Sequence, residues 1–193
     1  MSIKWYKSIK TTEVGMQQGL ETGDKAPEFS LIGSDGMIHT LVDYKGYKGV
    51  CFCFFSLTCE TSQRALEEIS LLKNDFSKKS IAFIAIALKE QDDSFSGMLE
   101  KLSALGCNFD LLLDATGDLS RRFGIETTPH FFIFNQSKHL IYSGRLKDDY
   151  FHPDGESNLN YVASALNQLV GALPIGVPET EAIGTSLKAF SGV

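Results

Sequence analysis

The sequence is poor in cysteine, in positive charge and in long apolar runs, and each shortage removes a class of function. Four cysteines, at positions 51, 53, 59 and 107 of a 193-residue chain, do not form the pattern of a disulfide scaffold. No stretch reaches the roughly 18 apolar residues that a membrane helix needs. The opening MSIKWYKSIKTTEVGMQQ lacks the continuous apolar centre of a signal peptide. Lys and Arg number 18 against 24 Asp and Glu, a net charge of −6 with no basic stripe, which argues against a nucleic-acid or anionic-membrane partner. Internal repeats and low-complexity segments are also missing. With Met1 as a natural start, these absences predict a cytoplasmic protein with reduced thiols.

What is present is an ordinary globular composition, 43% hydrophobic and 22% charged, enough for one domain with a sizeable core. Residues 1–22 read as a polar extension whose only large aromatics are Trp5 and Tyr6, residues 23–173 as the domain, and residues 174–193 as a Pro/Gly-punctuated tail. Within the domain, 23–41 has apolar runs on either side of a Ser-Asp-Gly turn signal, which predicts a β-hairpin. The continuous apolar runs GVCFCFF (49–55) and SIAFIAIAL (80–88) predict buried central strands. Helical spacing of apolar residues predicts helices over 61–76, 92–106 and 157–173, with a short one over 118–124. Shorter strands are expected at 110–114, 130–135 and 139–145. Strands separated by helices imply parallel crossovers, and the closing β-β pair an antiparallel edge. The expected architecture is an α/β domain with a central mixed sheet flanked by helices, an N-terminal hairpin and a C-terminal tail.

The chemistry-bearing stretch is FFSLTCETSQ (54–63), where an apolar strand runs into a helix start holding one cysteine. Ser56 is placed to cap the helix, its hydroxyl accepting a backbone N–H. Cys59 then falls in the first turn, where free N–H groups and the helix dipole favour a thiolate. A nucleophilic sulfur is one reading, with Ser56 or Thr58 hydrogen-bonding the thiolate or a bound oxygen. A small, partly buried cysteine without a role is the other. Glu60, Glu67 and Glu68 would raise a thiol pKa, and the only cation close in sequence is Arg64. Further along, Thr128–Pro129 before HFFIF marks a fixed loop entering the sheet, a place for a cis peptide.

Together, strand–SLTC–helix and TTP–strand resemble the thioredoxin fold. GDKAPEFSLIGSDGMIHTLVDYKG, TPHFFIF, SGRLKDD and the tail VPETEAIGTSLKAF resemble the alkyl-hydroperoxide-reductase/thiol-specific-antioxidant family, the peroxiredoxin-like redoxins, over residues 22–190. The resemblance implies a redox active site in which Cys59, Ser56 and Thr58 face the loop of Thr128 and Pro129. Relatives on this branch commonly carry C-x-x-C where this chain has Ser56-Leu57-Thr58-Cys59, and further cysteines where it has Thr127 and Thr185. The missing first sulfur argues against dithiol exchange. The S-x-x-C spacing instead matches the peroxide-attacking cysteine of peroxiredoxins, which passes through a sulfenic acid. This chain departs from that pattern as well, with Phe52 in place of the upstream proline and Thr128 in place of the arginine before the strand. Arg121, Arg122 and Arg145 are the candidate replacements.

The implied function is a thiol-dependent oxidoreductase with a peroxide or disulfide substrate and an external thiol reductant such as thioredoxin or glutathione. The alternative is a non-catalytic binding module that kept the fold. Cys107 is a candidate resolving thiol, with a buried structural residue as its other reading. Cys51 and Cys53, two apart on a strand, point to one face and read as core filling rather than a soft-metal site. His130 is a candidate base with a structural role as its default. Asp148, Asp149 and His152 lie in a loop whose spacing fixes no metal geometry. The sequence predicts no cofactor and no bound metal.

Overall fold

The computed structural model describes residues 19–89, 94–148 and 159–187. Trp5 and Tyr6, the acidic start of the helix expected at 92, and Asp149 and His152 lie outside the described residues.

The centre of the fold is β3 (Gly49–Phe55), buried along its whole length. It pairs in parallel with β4 (Ile81–Leu88) on one side and antiparallel with β7 (His130–Asn135) on the other. This is why its apolar run is unbroken: both faces and both edges are covered. β4 continues in parallel to β5 (Asp110–Asp114), and the hairpin of β1 (Ser30–Gly33) and β2 (Ile38–Thr40) joins β5 antiparallel. β8 (Leu140–Gly144) closes the other edge, giving the order β2-β1-β5-β4-β3-β7-β8.

The two-residue alternation of β3 divides the core. Cys51, Cys53 and Phe55 pack under α1 (Glu60–Phe76), α2 (Phe95–Ala104) and α4 (Tyr161–Val170), meeting Leu66, Ile69, Met98 and Leu166. Val50, Phe52 and Phe54 pack on the opposite face under α3 (Asp118–Phe123). There Phe123 is ringed by Phe54, Phe132 and Phe52 at centroid separations of 4.7, 5.0 and 5.7 Å. Such aromatic pairs add on the order of 1 kcal/mol each beyond their buried area.

The helices at 92–106 and 157–173 are shorter than their apolar spacing suggests, because α2 ends at Ala104 before Gly106, and α4 starts after Asn160, whose side chain accepts the Ala163 N–H. One feature has no counterpart in the sequence pattern. A two-residue strand β6 (Thr127–Thr128) pairs antiparallel with β9 (Thr185–Ser186) of the tail. Among the described residues, no helix is long and apolar enough to cross a membrane.

Candidate active site

At the carboxyl end of β3 the chain turns through Ser56-Leu57-Thr58 into α1. Ser56 does not cap the helix, as its spacing suggested. Its hydroxyl accepts the Thr58 N–H at 3.2 Å and lies 3.1 Å from the Thr58 hydroxyl, so both side chains are used in closing the turn. The first helical bond runs from the Gln63 N–H to the Cys59 carbonyl at 3.1 Å, which makes Cys59 itself the capping residue. Ser62, three positions on, favours the thiolate at this sulfur through its hydroxyl and its backbone N–H. Ser62 is fully buried, and its oxygen also accepts the Ser56 N–H at 3.4 Å.

Facing the sulfur is the loop before β7. The Thr128–Pro129 peptide is cis, and the Thr128 carbonyl lies 3.7 Å from the Cys59 sulfur, where it accepts from the neutral thiol. Thr128 is fully buried, and among the described residues its hydroxyl oxygen has no hydrogen-bond partner.

The tail supplies the third side. The Ser143 N–H donates to the Pro178 carbonyl at 3.0 Å, and the Thr180 N–H donates back to the Ser143 carbonyl at 2.9 Å. The Thr180 hydroxyl meets Tyr142 Oη at 2.8 Å and accepts the Arg145 N–H at 3.0 Å. Beyond these anchors, β9 lies on β6 and the Thr185 hydroxyl donates to the Cys59 sulfur at 3.1 Å. Cys59 is only 4% exposed as a result.

Burial is the largest influence on the Cys59 thiol and pushes its pKa up, but the Ser62 and Thr185 hydroxyls, helped by backbone N–H donors, outweigh it and leave the thiol below its ordinary value. No charge enters that balance. Glu60 is turned to solvent and paired with Arg64 at 2.6 Å, and Glu68 is paired with Lys147. The three candidate arginines are engaged elsewhere. Arg121 reaches the Thr116 carbonyl, Arg122 the Glu28 carbonyl and Asp118, and Arg145 sits on Asp148 at 2.6 Å.

The remaining candidates have other surroundings. His130 meets the Ser143 hydroxyl at 3.0 Å and stacks on Phe132, and burial lowers its pKa to about 4, so it is a neutral structural ring. Cys51 and Cys53 are buried in the core with thiols pushed up by burial. Cys107 does not fit as a resolving thiol. β5 begins level with Phe52, in the middle of β3, and Cys107 precedes β5, whereas Cys59 follows the far end of β3. Two strand spacings, across β4, and most of a strand length separate them, well beyond the roughly 7 Å between Cα atoms that a disulfide spans. Asp148 is committed to Arg145 and Tyr161. Among the described residues, no cluster of three or more His, Cys, Asp or Glu side chains is arranged to hold a metal.

Sequence reasoning missed Ser62 and Thr185 as site residues. Ser62, three positions after Cys59, has the spacing of a group that meets a capping side chain and was open to being found. Thr185 was marked only by the resemblance, as a place where relatives carry a cysteine, and nothing in the neighbouring residues shows that its hydroxyl meets Cys59.

Residues 22–143 match the AhpC/TSA family. The thiol-disulfide oxidoreductase ResA of Geobacillus thermodenitrificans is 25% identical over 130 residues, which are 66% of this chain and 72% of that protein. A hypothetical protein from Sinorhizobium meliloti superposes with a TM-score of 0.80 at 22% identity, covering 91% of this chain and 98% of its own. The thioredoxin domain of a thiol-disulfide oxidoreductase from Bacteroides vulgatus superposes at 0.56 with 18% identity, over 65% of this chain and 89% of its own. Peroxidoxin BcpB from Mycobacterium tuberculosis also scores 0.56, with 13% identity over 79% and 95%. The fold is thioredoxin-like. Its neighbours include both a disulfide oxidoreductase and a peroxidoxin, so the choice between those chemistries has to come from the site.

Proposed function

The chain belongs to the AhpC/TSA family, a group of thiol redoxins, and on that premise we propose that it reduces a hydroperoxide through one sulfur, that of Cys59. The observation that carries this reading is the pairing of Cys59 with anion-stabilising donors at a site that no second cysteine reaches. Two of the other cysteines are locked in the core and the third precedes β5.

The Cys59 thiolate attacks the terminal oxygen of the peroxide. The O–O bond breaks, the sulfur is oxidised to a sulfenic acid, and the alkoxide or hydroxide leaves and takes up a proton. An external thiol then attacks the sulfenic sulfur, releasing water and leaving a mixed disulfide. A second external thiol frees Cys59 and carries away the disulfide. Glutathione and thioredoxin are thiols of that kind, and a reducing cytoplasm is the setting that supplies them. A disulfide substrate would enter by the same mixed-disulfide step.

The slight exposure of Cys59 favours a second reading, a binding module that has kept the fold without the reaction. The two part on one measurement, hydrogen peroxide consumption with glutathione or a small dithiol as donor. Turnover that falls to background in Cys59→Ser supports the single-sulfur reaction. Equal rates in the two proteins, or none in either, leave the binding module.

A further inference from the structure

The donors at the Cys59 sulfur differ in where they come from. Ser62 belongs to the same turn and helix as the cysteine, and any fold that forms α1 delivers it. Thr185 lies 126 positions away in sequence and reaches the sulfur only because the tail is bound across the end of the sheet.

That binding is specific in its details. The tail is held at Pro178 and Thr180 by backbone and hydroxyl hydrogen bonds to Ser143, Tyr142 and Arg145, and at Leu187 by an N–H to the Glu126 carbonyl at 2.8 Å. Between these holds it passes so close to the cis-proline loop that a Cβ on Gly184 would overlap the Thr128 carbonyl, and Gly144 makes the same room for Thr180. Glycine is required at both places by contact, and the register it permits sets Thr185 opposite Thr128 with its hydroxyl on the sulfur.

We propose that Thr185 is a catalytic residue of the Cys59 reaction, a hydroxyl donor to the reacting sulfur, and that the segment 178–187 is therefore part of the active site. The role rests on the single-sulfur reading for its chemistry and on the geometry for its placement. In the resting state the sulfur has an acceptor on one side, the Thr128 carbonyl, which favours the thiol. The Thr185 hydroxyl on the other side favours the thiolate. When the thiolate attacks, the O–O bond breaks, one oxygen stays on the sulfur and the other leaves with the electron pair. The hydroxyl that held the anion on sulfur is then adjacent to the oxygen newly bonded there and can hold a sulfenate in turn. It donates a hydrogen bond throughout and gives up no proton.

The test is the pH dependence of Cys59 alkylation by iodoacetamide in the folded protein, with peroxide turnover measured beside it. Thr185→Val keeps the shape and removes the hydroxyl. The midpoint of the alkylation profile should rise by about one pH unit, and kcat/KM for hydrogen peroxide should fall about tenfold. Thr185→Ser should restore both. A midpoint that does not move in Thr185→Val overturns the proposal, as does a shift that Thr185→Ser fails to reverse, since loss of packing alone would explain that. If the midpoint shifts while the unaltered protein turns over no peroxide, the peroxide reading fails and the hold of Thr185 on the sulfur stands.

Discussion

Cys53 and Cys59 are close neighbours in the chain, and both are almost fully buried, at 1% and 4% exposure, yet their thiols move in opposite directions. The Cys53 thiol is pushed far up by burial, with a further push from Cys51 beside it. The Cys59 thiol bears the same kind of burial cost and still ends below its ordinary value. Part of the difference is depth, the Cys53 thiol being the more deeply buried, and part is the company each sulfur keeps. Inside β3 the backbone N–H groups are spent on the sheet, and Cys53 lies in an apolar cluster. At the end of β3 the helix leaves unspent N–H groups, and two hydroxyls turn toward the sulfur. Burial alone therefore does not decide whether a cysteine is inert. It magnifies whatever polar groups lie around the sulfur, because hydrogen bonds count for more where water is excluded.

The largest effect expected from this contrast is in reactivity. In the folded protein at neutral pH, iodoacetamide followed by peptide mass mapping should label Cys59 first, with Cys51 and Cys53 labelled only in denaturant. Equal labelling of Cys53 and Cys59 in the native state would break the comparison. A second test uses another buried group without compensating charge. His130 is held neutral by burial, its pKa lowered from 6.5 to about 4. The unfolded chain binds the proton and the folded chain does not. Stability is thus full above about pH 6.5 and declines as the pH falls from there to 4, by up to about 3 kcal/mol. Denaturant unfolding at pH 7 and pH 4.5 should show this loss, and His130→Phe should reduce it. The smallest effect sharpens the account of the sulfur itself. Ser62→Ala removes one hydroxyl donor and leaves the backbone N–H, so the Cys59 alkylation midpoint should rise by about one unit or less. No change would mean that the backbone donors and Thr185 carry the shift between them.

Much of this was open to a reader of the chain. The runs GVCFCFF and IAFIAIAL are unbroken because central strands are covered on both sides, and burial on that scale leaves a plain compositional mark. The helix after Cys59 follows from the spacing of Ala65, Leu66, Ile69, Leu72 and Phe76, the residues it buries. A loop ending in Thr128–Pro129 was legible as a fixed entry into the sheet, and the peptide is cis. Errors came where one position hides several outcomes. Ser56 and Cys59 both suit a helix start, and the choice between them depends on which carbonyl receives the first helical N–H. Cys107 looked available to Cys59 because sequence distance says nothing about which end of a parallel sheet a loop occupies.

That a lone cysteine stands at the junction of a central strand and a helix is legible from the chain, since periodicity is local and written in adjacent residues. What surrounds that cysteine depends on the folded chain. Its strongest partner from outside the helix, Thr185, comes from a tail whose course is set by glycine-sized gaps and hydrogen bonds to distant strands. Those are contacts between elements, formed only when the chain has closed on itself, and no pattern of neighbouring residues records them.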